Sequence, residues 1–241
     1  MDKFSKVTFI GFGLINSSLA HVFKLKSLAK ETNAFSRRKE TREKIKNLNI
    51  VDNVNDNLRE AVKDSDLIVL GVPVGAMESI VSEIAPFLKS GTIITDVGSV
   101  KKHLIDSILP ILPSDVFFVP GHPIAGTEKS GPEAGFAELF NGRWCILTPN
   151  KNTSQVALEK VKFIWEQAGM QIATMDAEYH DRVLAITSHI PHLVAFSIVG
   201  TVTELEDQLK TEVIKYSAGG FRDFTRIAAS DPIMWRDVFL N

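Results

Sequence analysis

Short apolar runs alternate with segments of helical periodicity along most of this chain. The continuous apolar runs occur at residues 7–10, 66–74, 92–97 and 116–119. Segments with apolar residues at helical spacing follow them at residues 14–23, 75–88 and 99–109. Strands that are apolar throughout, rather than at alternate positions, are typical of a sheet whose two faces are both covered. The pattern therefore predicts a mostly parallel sheet with helices on both sides.

The pattern changes near Asp176. Before this residue, two further strands are predicted at residues 144–148 and 171–175, with a helix between them. After it, no run indicates a strand, and the remaining sequence predicts helices and loops. We therefore expect two domains, an α/β domain at residues 1–176 and a smaller all-helical domain at residues 177–241.

The first predicted strand ends in a glycine-rich turn. Gly11 and Gly13 follow the strand, and Leu14 and Ile15 open the next predicted helix. In this context, glycines let a pyrophosphate approach the positive end of the helix, where backbone N–H groups are free. The turn predicts a dinucleotide site in a doubly wound domain of the Rossmann type. The alternative is a purely structural turn, and Asn16 stands where the usual pattern has a third glycine.

Basic residues follow the second predicted strand. This strand is weakly defined, around residues 32–35, and Ser36, Arg37 and Arg38 come directly after it. An NAD site usually has an acidic residue here, which accepts hydrogen bonds from the ribose 2′-hydroxyl. A hydroxyl followed by two guanidinium groups suits a 2′-phosphate, because arginine binds phosphate through charged and often bidentate hydrogen bonds. We therefore expect NADP rather than NAD. The alternative is the surface N-terminus of the basic helix predicted at residues 39–48.

One histidine lies in a segment rich in proline and glycine. His122 stands between Pro120 and Pro123, next to Gly121, and a carboxylate, Glu128, follows six positions later. Proline restricts its own φ and the conformation of the residue before it, so we expect a stiff loop. Because imidazole exchanges a proton near neutral pH, His122 is a candidate general base. The alternative is a buried turn with a hydrogen-bonded histidine.

The ends of the predicted strands are expected to line one crevice. In open α/β sheets, ligands bind beyond the carboxyl ends of the strands. Besides the glycine turn and His122, these ends carry Val72 and Pro73 and, on the next strand, Ser99. We expect Val72 and Pro73 to contact the cofactor. Ser99 either faces the substrate or only caps a helix N-terminus, which is the commoner role of a serine at such a position.

Composition excludes several classes of protein. The 241 residues carry a formal net charge of −2, so no basic field indicates a nucleic-acid partner. The one cysteine, Cys145, excludes a disulfide framework and a cysteine-rich metal site, and its apolar neighbours indicate a buried thiol. The N-terminal residues lead directly into the first strand, so we expect no signal peptide. We identify no apolar run near the length of about 20 residues that spans a bilayer, and expect a cytoplasmic chain without a membrane partner.

The predicted helical domain carries two groups of polar residues. His189 and His192 flank a proline in an otherwise apolar helix predicted at residues 183–198. A buried core position is expected for His189, whereas His192 is a candidate for the crevice. A metal site is disfavoured because no cysteine or carboxylate has matching spacing. Arg222 and Arg226 are four positions apart, hence on one face of a helix. Two guanidinium groups on one face indicate a carboxylate site, and the alternative is surface ion pairs with neighbouring aspartates.

Taken together, these motifs resemble the prephenate/arogenate dehydrogenase family of tyrosine biosynthesis. The resemblance covers nearly the whole chain, in order, through G-F-G-L-I-N-S-S-L-A, D-V-G-S-V-K, G-H-P-I-A-G-T-E-K-S-G, S-H-I-P-H-L-V-A-F and G-G-F-R-D-F-T-R-I-A-A-S-D-P-I-M-W-R-D. It implies a homodimeric enzyme that oxidises a hydroxylated cyclohexadiene, either prephenate or arogenate. Hydride passes to NAD(P), and carbon dioxide is lost as the ring becomes aromatic.

The resemblance also implies roles for individual residues. His122 is similar to the catalytic histidine, which bonds the ring hydroxyl that is oxidised, and Ser99 is similar to its companion at that hydroxyl. The remaining matches are substrate-binding residues: Glu128 near the substrate side chain, His192 and Arg222 near the substrate, Arg226 at the ring carboxylate, and Trp235, which in the family can reach a neighbouring subunit's site.

Two departures from the family pattern and two rival interpretations remain. Asn16 replaces the third glycine, and the chain stops at Asn241 where the family continues through further dimer-forming helices, which leaves dimerisation open. One rival is a β-hydroxyacid dehydrogenase, which normally uses a catalytic lysine in its helical domain; residues 177–199 contain none. The other rival is a nucleotide-binding regulatory subunit without turnover.

Overall fold

A parallel sheet of six strands forms the centre of the structure. The structure is a computed structural model, and it describes residues 3–240 except for the side chain of Phe224. The strands of this sheet are β1 (Phe4–Ile10), β2 (Ala29–Phe35), β3 (Asn53–Asn55), β4 (Leu67–Leu70), β5 (Ile93–Asp96) and β6 (Phe117–Val119). Their order is β3-β2-β1-β4-β5-β6, with every pairing parallel. This order reverses between β1 and β4, where α/β proteins of this class bind their ligands.

Helices connect the strands and cover both faces of the sheet. In chain order they are α1 (Leu14–Lys26), α2 (Lys39–Leu48), α3 (Leu58–Val62), α4 (Val74–Ile84), α5 (Lys102–Ile108), α6 (Gln155–Gln167), α7 (Ala177–Leu184), α8 (Ile190–Thr203), α9 (Asp207–Lys215), α10 (Gly219–Arg226) and α11 (Pro232–Leu240). Successive residues of a strand face opposite sides: Val69 packs in the core around Trp165, and Leu70 in the core around Met77. Two buried faces explain the continuous apolar runs, and the predicted doubly wound sheet is confirmed.

A second sheet of three strands holds His122. Its strands are β7 (Gly121–Pro123), β8 (Trp144–Leu147) and β9 (Gln171–Thr174). β7 pairs antiparallel with β8, with His122 opposite Ile146, and β8 pairs parallel with β9. The strands predicted at residues 144–148 and 171–175 are confirmed, but they do not extend the main sheet. His122, expected in a loop, lies in a short strand, and its pairing with β8 fixes the backbone that carries the imidazole.

The sequence pattern missed β3 and α3, and several bounds differ from the predictions. The two missed elements contain three and five residues, which is too short for a period to appear. Asn57 marks the start of α3, because its side-chain oxygen accepts hydrogen bonds from the N–H groups of Arg59 and Glu60 at 3.0 and 3.2 Å. α5 begins at Lys102 rather than at residue 99, a shift that is common at helix ends.

A long apolar helical stretch follows Asp176. A π-helical turn at Ala185–His189 joins α7 to α8, so the stretch runs over Ala177–Thr203. Within residues 3–240, this is the one helix whose length and composition would allow it to cross a membrane, and 11% of its apolar window is buried. The expectation that no apolar run approaches that length is therefore wrong. A single such helix is weak evidence for a membrane segment, because core helices of soluble proteins meet the same test.

The last helix, α11, packs back onto the α/β domain. Trp235 and Val238 belong to the same core as Met77 of α4. In addition, the backbone N–H of Gly75 donates to Oδ2 of Asp237 at 3.3 Å. α11 and one face of the main sheet therefore share a core.

Candidate active site

The glycine turn between β1 and α1 is shaped to receive a phosphate. Gly11 has φ +77°, and a Cβ there would lie 2.5 Å from Cγ1 of Val72, so the turn needs glycine. Gly13 precedes α1, no side chain caps this helix, and no acidic residue lies in its first turn, which Leu14 and Ile15 begin. The N–H groups of that turn are thus left for an anion. These features fit the pyrophosphate of a dinucleotide.

Asn16 takes the place of the third glycine without opening a gap. Its Nδ2 donates to the carbonyl oxygens of Gly11 at 2.7 Å and of Val69 at 3.2 Å. The side chain is 1% exposed. Instead of loosening the contact between helix and strand, Asn16 joins the start of α1 to β4.

Val72 and Pro73 lie where β4 leads into α4. Pro73 is the residue before the helix, and Val72 lies against the glycine turn, as the short distance from Gly11 requires. This places both residues at the crevice predicted for the cofactor.

Ser36, Arg37 and Arg38 connect β2 to α2. Nη1 of Arg42 donates to the carbonyl oxygens of Ser36 at 2.9 Å and Arg37 at 2.8 Å, which fixes the backbone of this segment. Both Arg37 and Arg38 are exposed, and neither guanidinium group makes a hydrogen bond or an ion pair with another described residue. The segment borders a groove of about 360 Å³, lined by basic and acidic side chains: Arg37, Arg59, Asp56 and Glu83.

His122 is held in a chain of side-chain hydrogen bonds. The residue is 8% exposed, and its Nδ1 lies 2.9 Å from Nε2 of His180. The His180 side chain is fully buried, and its Nδ1 lies 2.7 Å from Oδ1 of Asp181. The chain therefore runs from β7 into α7, across the predicted boundary between the domains.

A buried ion pair fixes the residue next to His122. Nζ of Lys101 pairs with Oδ2 of Asp96 and donates to the carbonyl oxygen of Gly121 at 2.7 Å. The other carboxylate oxygen of Asp96 accepts from the N–H of Gly121 at 3.1 Å. The side chains of Asp96 and Lys101 are both completely buried. Both polar groups of the Gly121 backbone are thus bound, which leaves His122 little freedom at its N-terminal side.

The surroundings of His122 favour the neutral imidazole. Burial lowers the pKa of His122 well below 6.5, and the nearby Lys101, His180 and His189 lower it further. Burial also lowers the pKa of Lys101, although Asp96 opposes that shift. A neutral imidazole buried at a strand end can accept a proton, which is what a general base requires.

Ser99 lies between β5 and α5, and the alternative that it only caps α5 is wrong. α5 has no side-chain cap from its own segment. Instead, the carboxylate of Asp181 accepts from the N–H groups of Lys101 and Lys102, each at 2.8 Å. The half-buried Ser99 makes no hydrogen bond to another described residue, which leaves its hydroxyl available at the crevice.

His192 and Trp235 stack on each other. Their ring centroids are 3.7 Å apart at an interplanar angle of 21°, within this one chain. Nδ1 of His192 also bonds the carbonyl oxygen of Ser188 at 2.8 Å, and His189 packs edge-on against Trp235. Nε2 of His189 and Nε1 of Trp235 are buried without a hydrogen-bond partner among the described residues. Within that part of the chain, no group of three or more His, Cys, Asp or Glu is arranged for a metal.

The remaining predicted substrate residues are exposed. Glu128 lies in the segment after β7, and Arg222 and Arg226 lie one turn apart on α10, as predicted. The alternative of surface ion pairs gains no support, because neither arginine has an ion pair with a described residue and Asp231 caps α11 by accepting from Ile233 N–H at 2.8 Å. None of these three side chains contacts His122 by a hydrogen bond in residues 3–240.

Sequence reasoning missed four residues around His122: Asp96, Lys101, His180 and Asp181. His180 and Asp181 lie in α7, whose sequence is typical of a solvated surface helix. His180 is buried in the structure and bonds His122 of β7, and the half-buried Asp181 binds the N-terminus of α5. Asp96 and Lys101 are five residues apart across a loop, and this spacing matches neither the period of a helix nor that of a strand. The signal available was an acidic residue at a strand end, followed by a lysine at the start of the next helix.

A Rossmann sheet with a glycine turn, and a buried neutral histidine at its carboxyl edge, define a dinucleotide-dependent oxidoreductase class. Two family models match this chain: the prephenate dehydrogenase nucleotide-binding domain over residues 19–174, and the prephenate dehydrogenase dimerization domain over residues 176–241. The chain therefore belongs to the prephenate dehydrogenase family.

Individual relatives agree with this assignment. The chain is 43% identical to a cyclohexadienyl dehydrogenase of Zymomonas mobilis, over 100% of this chain and 82% of the relative. It is 36% identical to a prephenate dehydrogenase of Bacillus subtilis, over 96% of this chain but only 62% of that protein. Among solved structures, the prephenate dehydrogenase of Aquifex aeolicus in complex with hydroxyphenyl propionate and NAD+ matches with a TM-score of 0.89 and 37% identity, covering 98% of this chain and 82% of that one.

Proposed function

We propose that this chain catalyses the oxidative decarboxylation of prephenate, arogenate or both, with hydride transfer to a nicotinamide dinucleotide. Family membership supports the reaction, and the relatives named above are a cyclohexadienyl dehydrogenase and prephenate dehydrogenases. The observation that carries the proposal is the buried, neutral His122 at the edge of the sheet where the glycine turn also opens. The rival β-hydroxyacid dehydrogenase is disfavoured, since that class would need a lysine that α7 and α8 lack.

In this reaction, His122 accepts the proton of the ring hydroxyl while hydride leaves the same carbon. NAD(P), when bound, supplies the hydride acceptor. Ser99 bonds the hydroxyl oxygen and orients it toward His122. Arg226 pairs with the ring carboxylate, and Glu128, His192, Arg222 and Trp235 surround the rest of the substrate. The exclusion of water around His122 keeps its imidazole neutral and ready to accept the proton.

The glycine turn and the segment after β2 would hold the cofactor, and we propose NADP as the preferred form. Gly11, Gly13, Leu14 and Ile15 bind the pyrophosphate, and Val72 and Pro73 line the crevice beyond it. Two exposed guanidinium groups, Arg37 and Arg38, have no competing partner among the described residues and suit a 2′-phosphate. Asp56 and Glu83 also border the groove. A carboxylate that bonds the ribose 2′-hydroxyl would favour binding of NAD instead.

We propose that the chain works as a homodimer through α8 and its surroundings. α8 is apolar on all sides, which is typical of a helix buried by another surface. Yet Ile190 is 52% exposed and Leu193 48% exposed. The family model that matches this region is a dimerization domain, which supports a second copy of the chain as the partner that covers these side chains. Light scattering should give a dimer mass, and Leu193→Glu should give monomers; a monomeric native protein would contradict the proposal.

The domain division at residues 1–176 and 177–241, and a cytoplasmic location, are further parts of this proposal. α7 begins directly after Asp176, whose carboxylate caps it. Limited proteolysis tests the division, and fractionation of cells tests the location.

The reaction is tested by following NADP and NAD reduction at 340 nm with prephenate and with arogenate as separate substrates. Formation of 4-hydroxyphenylpyruvate or tyrosine, identified by mass, supports the proposal. Cofactor binding without turnover of either substrate points to a regulatory subunit. Turnover of 3-hydroxy acids, with none of the cyclohexadienes, supports the rival enzyme class.

A further inference from the structure

The chain of hydrogen bonds at His122 has a direction, and Asp181 sets it. Burial raises the pKa of Asp181, but hydrogen bonds from His180 and from the N–H groups of Lys102 and Lys101 outweigh this and lower the pKa overall. The carboxyl group is therefore ionised at neutral pH. A carboxylate is an acceptor only, so the nitrogen of His180 that faces it, Nδ1, must carry a proton.

The remaining nitrogens follow from that first assignment. A neutral imidazole protonated at Nδ1 has a free lone pair at Nε2. In the neutral form of His180, which is part of the proposal, Nε2 is an acceptor, and the group 2.9 Å away, Nδ1 of His122, donates to it. With its proton on Nδ1, neutral His122 carries its free lone pair on Nε2.

We propose that His180, oriented by Asp181, is a positioning residue that fixes the tautomer of His122 and makes Nε2 the proton-accepting nitrogen. The inference rests on the proposed function only for the identity of the proton, which comes from the substrate hydroxyl. During that step Nε2 gains the hydroxyl proton while Nδ1 keeps its own, still bonded to His180. The arrangement uses the logic by which a buried carboxylate orients the histidine of a serine protease, with a second imidazole placed between the two groups.

Other groups around His122 do not provide this control. Lys101 and Asp96 bind the backbone of Gly121, Cys145 lies on β8, and His189 faces the site from the π-helical turn. In residues 3–240, only His180 is hydrogen-bonded to the ring of His122. His180 in turn is hydrogen-bonded to the carboxylate of Asp181, so it links that carboxylate to the ring of His122.

The tautomer is measured directly on the full-length protein labelled with ¹⁵N-histidine. Long-range ¹H–¹⁵N correlation spectra at about pH 7.5 distinguish a protonated from an unprotonated ring nitrogen, and His122→Asn assigns the signal. We expect His122 with a protonated Nδ1 and an unprotonated Nε2. The opposite tautomer would overturn the proposal. This result does not depend on turnover, so it separates failure of the inference from failure of the proposed function.

Kinetics of two substitutions then test the consequence. His180→Leu removes the acceptor, and we expect kcat to fall about 100-fold or more while KM and the cofactor Kd stay within about threefold. His180→Gln keeps an acceptor oxygen near the position of Nε2 and should retain kcat within about tenfold of the native enzyme. His103→Gln, on the half-buried side of α5, is the control for a histidine substitution.

Equal losses in His180→Leu and His180→Gln, or a loss confined to KM, would reduce His180 to a structural role. Thermal melts accompany each variant. If His180→Leu does not fold, the native spectrum and the Gln variant still decide the proposal: unchanged protonation of His122 in His180→Gln is expected, and an inverted tautomer there contradicts it.

Discussion

Asn16 and Gly71 occupy one space: a Cβ built on Gly71 would lie 2.4 Å from Nδ2 of Asn16. The pattern of this fold usually places its third glycine on the helix, so that helix and strand approach closely. Here the helix carries Asn16, and the residue without a side chain is Gly71, directly after β4. The close approach is retained, and the amide hydrogen-bonds the carbonyls that surround it.

This relationship predicts that Gly71 tolerates no side chain while Asn16 is present. Gly71→Ala should lower the free energy of unfolding by about 1–3 kcal/mol, because the methyl group overlaps a buried amide. The double variant Asn16→Gly, Gly71→Ala should recover part of that loss. Urea denaturation measures both effects, with Gly126→Ala as the control because nothing lies within 4 Å of its ideal Cβ. Additive losses in the double variant would contradict the coupling.

The parts of the fold that followed from sequence are those with a strong local period. The apolar runs of β1 and β4 and the polar helix α2 are visible without tertiary contacts, and α2 was predicted with its observed bounds. The pairing of β7 with β8 joins residues that are distant in the chain, such as His122 and Ile146, and no local signal encodes it. The role of His180 was not predicted for the same reason, since its side chain is buried against residues that are distant in the sequence.

The long helix after Asp176 was predicted only in part. A helix was expected at residues 183–198, across Pro191, and proline is tolerated in the first turn of a helix. In the structure the π-helical turn joins α7 to α8, so the helix runs over Ala177–Thr203. The predicted stretch was shorter than the length of about 20 residues that spans a bilayer, and the full length of the helix was the missing information.

The buried His122 makes the folded state sensitive to acid. Burial lowers the pKa of His122 well below 6.5, whereas an imidazole in the unfolded chain titrates near about 6.5. Below that pH the unfolded state binds a proton that the folded state does not, so stability falls as pH decreases toward the folded pKa. The pKa of His189 is lowered by burial too and acts with the same sign. His122→Asn should therefore reduce, without abolishing, the pH slope of unfolding between about pH 7 and 5.

Urea melts at closely spaced pH values measure that slope. The same lowered pKa predicts that the acid limb of kcat/KM lies below about pH 6.5. A slope that is identical in His122→Asn and in the native protein would contradict burial of a neutral imidazole.

The segment after β2 predicts cofactor preference. A 2′-phosphate should gain charged hydrogen bonds from Arg37 and Arg38, so NADP should bind at least about tenfold more tightly than NAD, or about 1.4 kcal/mol. Replacing Ser36 with Asp and Arg37 with Ala should reverse the order, because a carboxylate accepts from the ribose hydroxyl and repels phosphate. Fluorescence titration measures both constants, with Arg143→Ala as the control for loss of one exposed charge. Equal or tighter binding of NAD by the native protein is the result that would refute NADP.

Arg226 on α10 is predicted to bind the substrate carboxylate. Arg226→Ala should raise KM by leaving that carboxylate unpaired, with an effect of about 2–5 kcal/mol where the pair is shielded from water in the complex. The exposed Arg182, which pairs with Glu178 at 2.6 Å, is the matched control, and Arg182→Ala should leave KM unchanged. An unchanged KM in Arg226→Ala would show that this residue does not bind the substrate carboxylate.

His122 as the general base is the central claim, and one comparison tests it most directly. The steady-state rate of NADP reduction, with prephenate and with arogenate, is measured for the native protein and for His122→Asn, and cofactor affinity is titrated in parallel. The account predicts a loss of kcat of at least about 100-fold with the cofactor Kd unchanged, because the base acts in the transition state and not in cofactor binding. Turnover by His122→Asn close to the native rate would contradict it.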